Sequence, residues 1–188
     1  MSELIQSFLL VVFSEMGDKT QLLALMLAVR FKKPLLVMLG ILVATILNHG
    51  LATILGQWIG SIVSPENLRL GLALLFICFA IWILVPDKLD DDSQIKSYSK
   101  TNVFLATTIL FFLAEMGDKT QLATIALGAK FNSPWLVTTG TTLGMLVADG
   151  LAVVFGETFL TKVPMKYVRY FSAILFAIFG VFVLLGFS

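Results

Sequence analysis

The sequence predicts an all-α membrane protein: six transmembrane helices arranged as two inverted-topology repeats of three helices each. Three observations carry that expectation. The chain is 58% hydrophobic with a mean hydropathy of +0.95, well above the roughly 45–50% apolar content of soluble domains. It holds six apolar segments long enough for the about 20 residues that cross about 30 Å of hydrocarbon. Residues 15–56 align without a gap to residues 115–156, with 18 of the 42 positions identical.

In order, the segments run over about residues 4–28, 35–61, 68–86, 102–129, 135–160 and 167–187. They are divided by RFKKP, SPEN, DKLDDDSQIKSYSK, KFNSP and TKVPMK, and Pro34, Pro65, Pro134 and Pro164 sit at or near span starts. A missing N–H costs least there. The repeat matches Phe31 to Phe131, Pro34 to Pro134, Gly40 to Gly140 and Gly-Leu-Ala at 50–52 to 150–152. Shared apolar composition does not align prolines, glycines and charges, so the halves read as internal repeats. Residues 1–86 form the first three-helix repeat, 87–101 a linker and 102–188 the second repeat. Because each half holds an odd number of spans, the second enters the membrane from the opposite face. Inverted repeats of this kind are typical of secondary transporters, with substrate sites near the midplane at interrupted helices.

Charge placement sets the orientation. Of the eleven Lys and Arg other than Lys19 and Lys119, nine fall on one face, from Arg30 to Arg169, and only Arg69 and Lys130 on the other. The positive-inside rule makes the first face cytoplasmic, with both termini outside and the linker inside. A net charge of +1 suggests no nucleic-acid partner. Cys78, alone in its sequence, forms no internal disulfide and reads as a small filler. The N-terminal stretch lacks the basic start and cleavage site of a signal peptide, so the whole chain is expected to be mature and without a soluble domain. The composition fits an integral protein with the lipid bilayer as its surroundings, and six short spans leave a monomer or a homodimer open.

Two stretches break the apolar pattern: SEMGDKTQL at 14–22 and AEMGDKTQL at 114–122. Glu15 and Asp18 are i, i+3 on a helix, with Gln21 one turn on, and Glu115, Asp118 and Gln121 repeat the spacing. Charges at membrane depth cost a few kcal/mol or more and persist where they face partners or a water-filled cavity. Gly17 and Gly117 permit close approach or local unwinding. Carboxylate, amide and hydroxyl oxygens from these residues, with Thr20 and Thr120, make a hard donor set suited to Ca²⁺, Mg²⁺ or Mn²⁺. No Cys or His cluster suits zinc or copper. Met16 and Met116 read as packing residues; a thioether at the site would favour Mn²⁺ over Ca²⁺.

Four motif carboxylates and two motif lysines sum to −2, which one divalent cation or two protons would balance. Carboxylates gathered in low dielectric take up protons readily, so the site suits exchange of M²⁺ for H⁺. Lys19 and Lys119 are candidates to pair with carboxylates and gate them; the plain structural alternative is Lys19 bridging Glu15 at i, i+4. His49 and Asp149 occupy equivalent positions on the second and fifth spans, either as packing residues or as a proton relay. Glycines at 40, 50, 56, 60, 140, 144, 150 and 156 read as helix-packing positions.

Two copies of Glu-x-Gly-Asp-(Lys/Arg)-(Thr/Ser), each opening a three-helix half, resemble the signature of the Gdt-type cation/proton exchangers, which include Golgi transporters and bacterial manganese exporters. EMGDKT at 15–20 and at 115–120 fits without departure, and the resemblance covers essentially the full chain. It implies Mn²⁺ or Ca²⁺ transport coupled to H⁺, with Glu15, Asp18, Glu115 and Asp118 as metal ligands and proton acceptors, and efflux of Mn²⁺ in bacterial relatives. The resemblance to bacterial relatives implies a bacterial inner membrane as the location. No cofactor beyond the transported cation is implied. Two alternatives remain open: a channel or facilitator without proton coupling, and an intramembrane aspartyl protease using Asp18 and Asp118. The second fits poorly, because both lysines would disturb a shared-proton dyad.

Overall fold

The computed structural model describes residues 2–85, 102–155 and 164–186. Among them are eight helices: α1 (Ser2–Glu15), α2 (Lys19–Phe31), α3 (Pro34–Ile62), α4 (Pro65–Trp82), α5 (Val103–Glu115), α6 (Lys119–Phe131), α7 (Pro134–Phe155) and α8 (Met165–Leu184). Four stretches, Pro34–Ile62, Pro65–Trp82, Pro134–Phe155 and Lys166–Leu184, are long and apolar enough to cross a membrane. The chain is an integral membrane protein. The expected linker at 87–101 and the end of the fifth segment, 156–160, lie outside the described residues.

The first and fourth segments are interrupted at Gly17 and Gly117, where the sequence permits local unwinding. Each is two short helices in series, α1 with α2 and α5 with α6, broken at Met16–Asp18 and Met116–Asp118. Gly17 (φ 84°) and Gly117 (φ 75°) are left-handed there, a conformation that costs little only without a Cβ. Asp18 and Asp118 then start the next helix with extended backbone, at ψ 169° and 163°. Thirteen residues reach only roughly 20 Å at about 1.5 Å per residue, short of the hydrocarbon core. Both α2 and α6 end on a left-handed residue, Lys32 (φ 51°) and Asn132 (φ 49°), whose N–H bonds back to Ala28 and Gly128. Pro34 and Pro134 open the next helix two residues on, where no N–H is needed.

The halves interlock. The long helix α3 packs on α5 and α6 of the other half, α7 packs on α1 and α2, and α3 and α7 pack on each other. Small residues permit this approach. A Cβ on Gly40 would lie 3.0 Å from the Phe104 carbonyl oxygen, and one on Gly140 would lie 2.5 Å from that of Leu4, so equivalent glycines meet equivalent partners. Gly56, Gly60 and Gly128 bring α3 and α6 into backbone contact. Gly50 and Gly150, also expected to be packing positions, have room: their nearest neighbours would be side-chain carbons at 4.0 and 3.5 Å.

Beside this core, α4 pairs with α8 through interlocking phenylalanines, Phe76 meeting Phe179 edge-on at 4.8 Å and Phe176 at a tilt at 6.2 Å. Leu51, Trp58, Ile81, Trp135 and Val154 are exposed, a belt of apolar surface that suits lipid and would be a liability in water. Cys78 is on the exposed side of α4.

Candidate functional site

The two breaks meet inside the molecule. Glu15 closes α1 and Asp18 opens α2, while Glu115 closes α5 and Asp118 opens α6. All four carboxylates are buried, Glu15 and Glu115 completely. One carboxylate oxygen each from Glu15, Glu115 and Asp118 lie within 4.8 Å of one another. Helical phasing does not align Glu15 with Asp18, as the i, i+3 spacing suggested, because the left-handed glycine lies between them. Convergence of the two halves instead gathers Glu15 with Glu115 and Asp118, while Asp18 is not part of that cluster and meets Lys119.

The lysines cross between halves. Lys119 Nζ donates to Asp18 Oδ1 at 2.9 Å, and Lys19 Nζ lies 3.1 Å from Asp118 Oδ1. The local Lys19–Glu15 bridge is not the pairing adopted, since the break at Gly17 removes the i, i+4 geometry. The two crossed pairs differ in exposure: the side chains of Lys119 and Asp18 are 7% and 0% exposed, those of Lys19 and Asp118 26% and 7%. Removing one partner costs on the order of 3–5 kcal/mol for a fully enclosed pair and about 1 kcal/mol or less for an exposed one, and the partly exposed Lys19–Asp118 pair falls between these limits. Lys119→Met is therefore expected to lower the thermal unfolding midpoint in detergent more than Lys19→Met. Equal losses would mean that the two pairs are equivalent.

The threonines break the symmetry of the site further. Thr20 Oγ1 donates to Glu15 Oε2 at 2.6 Å and Thr120 Oγ1 donates to Glu15 Oε1. Both hydroxyls thus serve one glutamate. Neither oxygen of Glu115 has a hydrogen-bond partner among the described residues. Ser14 lies 3.5 Å from the Thr120 hydroxyl, and its equivalent in the second half is Ala114.

Gln21 and Gln121 use their carbonyl oxygens on the breaks. The freed N–H of Gly17 donates to Gln21 Oε1 at 2.8 Å, and that of Gly117 to Gln121 Oε1 at 2.7 Å. Each amide nitrogen then fastens the turn to the long helix of the other half: Gln21 Nε2 donates to the Ala148 carbonyl at 2.7 Å and Gln121 Nε2 to Asn48 Oδ1. Asn48 in turn donates to the Phe112 carbonyl at 3.4 Å. Sequence reasoning gave Ser14 and Asn48 no role. Their signal was there as two departures from the repeat, Ser14 against Ala114 and Asn48 against Ala148.

His49 and Asp149 sit on α3 and α7 one residue past these anchors. Both are fully buried, and neither has a hydrogen-bond partner among the described residues. Asp149 is within electrostatic reach of Glu15 and Glu115. Met116 is 56% exposed and lies outside the packed core.

Buried carboxylates gathered where two apolar helices break, with lysines reaching across from the opposite half, define a membrane transport protein that handles cations. The family described as "Divalent cation/proton antiporter GDT1" matches residues 3–91 and 103–187. The chain belongs to this family; it is a transporter and not an enzyme. It is 44% identical over 178 residues to a protein of Vibrio cholerae serotype O1 named "Putative manganese exporter", covering 94% of this chain and 87% of that one. It is 29% identical to "GDT1-like protein 3" of Arabidopsis thaliana, over 95% of this chain and 69% of the relative. It is equally 29% identical to "GDT1-like protein sll0615" of Synechocystis, over 92% of both. No solved structure matches the chain.

Proposed function

We propose that the chain exchanges one divalent cation, Mn²⁺ in preference to Ca²⁺, for protons, and exports Mn²⁺ from the cytoplasm. The observation that carries this reading is the cluster of Glu15, Glu115 and Asp118 oxygens, drawn from both broken turns and within 4.8 Å of one another. Asp18 and Asp118 are each balanced by a lysine of the other half. With Asp149, buried and without a partner among the described residues, counted as a neutral acid, Glu15 and Glu115 remain, and two glutamates carry −2. One M²⁺ balances that charge, and so do two protons, which is the arithmetic of an electroneutral exchanger. The relative named as a manganese exporter supports the choice of ion and direction.

In this account the first segment, α1 with α2, and the fourth, α5 with α6, each cross the membrane as one broken helix, giving six crossings in two inverted repeats. The repeats span 1–86 and 102–188 around a cytoplasmic linker at 87–101, with both termini outside. Glu15, Glu115, Asp118 and Asp18 hold the cation and accept protons, and Lys19 and Lys119 gate them by taking or releasing an aspartate. Gln21 and Gln121 hold the turns, and an amide oxygen that caps a glycine N–H still has a lone pair to offer a cation. Asp149, within reach of Glu15 and Glu115, passes protons to the site, with His49 at the equivalent position of α3 as the second member of the relay. Rocking of the interlocked halves then exposes the site to each face in turn.

Titrating purified protein with Mn²⁺ in weakly buffered detergent between pH 6 and 8 tests the exchange. Binding is expected to release protons, and the release is expected to vanish in Glu15→Gln/Glu115→Gln. Binding of Mn²⁺ without proton release would sink the antiport reading.

A further inference from the structure

The two cations of the cation-poor face lie 61 positions apart in the sequence. The fold brings them to one pocket: Arg69 from the first turns of α4 and Lys130 from the last turn of α6 both line a cavity of ≈ 200 Å³, with Leu68, Leu72, Val183 and Gly186. Among the described residues no carboxylate lines it. Gly186 just past α8 (φ 79°) lets the chain turn away close to the Arg69 guanidinium, 3.4 Å from where a Cβ would stand.

Lys130 also belongs to a second, apolar cavity of ≈ 400 Å³ between α1 and α8, lined by Leu9, Leu10, Leu175, Ile178 and Phe179. Its ammonium sits over the rings of Phe131 and Phe179, 4.7 and 4.3 Å from their centroids. That places the charge at the boundary between the two cavities, as a snorkelling lysine does at a membrane interface. Leu9, Ile178 and Phe182, which line the apolar cavity, are exposed. On a membrane helix such a surface faces the bilayer, so whatever enters from the side is lipid.

We propose that the groove between α1, α4, α6 and α8 binds an anionic phospholipid, its phosphate between Arg69 and Lys130 and an acyl chain along Leu9, Leu10, Leu175 and Ile178. Paired cations at one end and an uncharged groove at the other complement that amphiphile and neither a soluble anion nor a peptide. This inference is independent of the transported ion.

Thermal unfolding and native mass spectrometry of the full chain in detergent, with added phosphatidylglycerol, phosphatidylethanolamine or inorganic phosphate, test it. Phosphatidylglycerol is expected to raise the midpoint and stay bound, with phosphatidylethanolamine weaker, each cation contributing on the order of fivefold preference for the anionic lipid. Arg69→Gln/Lys130→Gln should remove that preference. Should the double variant fail to fold, Ile178→Trp, which fills the groove from an exposed position, should lose phosphatidylglycerol binding with both cations in place. Equal stabilisation by the two lipids, by inorganic phosphate, or of the variants would overturn the proposal.

Discussion

Glu115→Gln is expected to reduce Mn²⁺ flux to background while the protein folds and unfolds nearly as wild type. The substitution keeps shape and removes the charge. Neither Glu115 oxygen has a hydrogen-bond partner among the described residues, so little structural bonding is lost. With no cation bound, the exchange leaves Glu115 protonated and already neutral, so a neutral amide of the same shape adds little cost to the fold. Stability unchanged, together with lost flux, is the signature of a side chain kept for transport. Glu15→Gln should also lose flux, but with a fall in stability, because the Thr20 and Thr120 hydroxyls donate to both Glu15 oxygens and an amide NH₂ cannot accept. Wild-type flux in Glu115→Gln would remove this residue from the pathway.

The largest structural effect is expected at Gly56. A Cβ there would stand 2.1 Å from the Ile125 carbonyl oxygen and 2.9 Å from the Ala129 nitrogen, so a methyl group meets rigid backbone with no side chain to yield. Overpacking of this kind costs about 1–3 kcal/mol, and a backbone collision sits at the upper end. For Gly56→Val the unfolding midpoint should fall by roughly 6–12 °C, at about 2–4 °C per kcal/mol for a chain of this length. The matched control is Gly71→Ala, where nothing lies within 4 Å of the added Cβ. It should leave the midpoint unchanged or raise it, since alanine favours a helix by about 1 kcal/mol. Equal effects at both positions would mean that α3 and α6 are not in backbone contact.

Much of this was legible in the residues. Repetition of EMGDKTQL located the four carboxylates, Gly17 and Gly117 marked where the helices could unwind, and the matched prolines placed the starts of α3 and α7. Partner choice was not legible. Rules for i, i+3 and i, i+4 neighbours assume an unbroken helix, and a single left-handed residue between positions 15 and 19 voids them, which is how Lys19 comes to Asp118. Nor could a repeat reveal that Thr20 and Thr120 both turn to Glu15. Identical motifs are symmetric in sequence, and one structure can satisfy only one of two equivalent arrangements at a time. Asn48 and Ser14 show where single-sequence reading stopped short, because a departure from a repeat looks like drift until a partner is seen across the interface.

The central claim is that a divalent cation and protons compete for Glu15, Glu115 and the two aspartates. It is tested most directly by Mn²⁺ uptake into inside-out vesicles with an imposed pH gradient, with Ca²⁺ and Mg²⁺ as comparisons. An acidic lumen is expected to drive Mn²⁺ accumulation above the external concentration, with the accumulation abolished by a protonophore. Uptake that proceeds equally without the gradient and stops at equal concentrations would contradict the account.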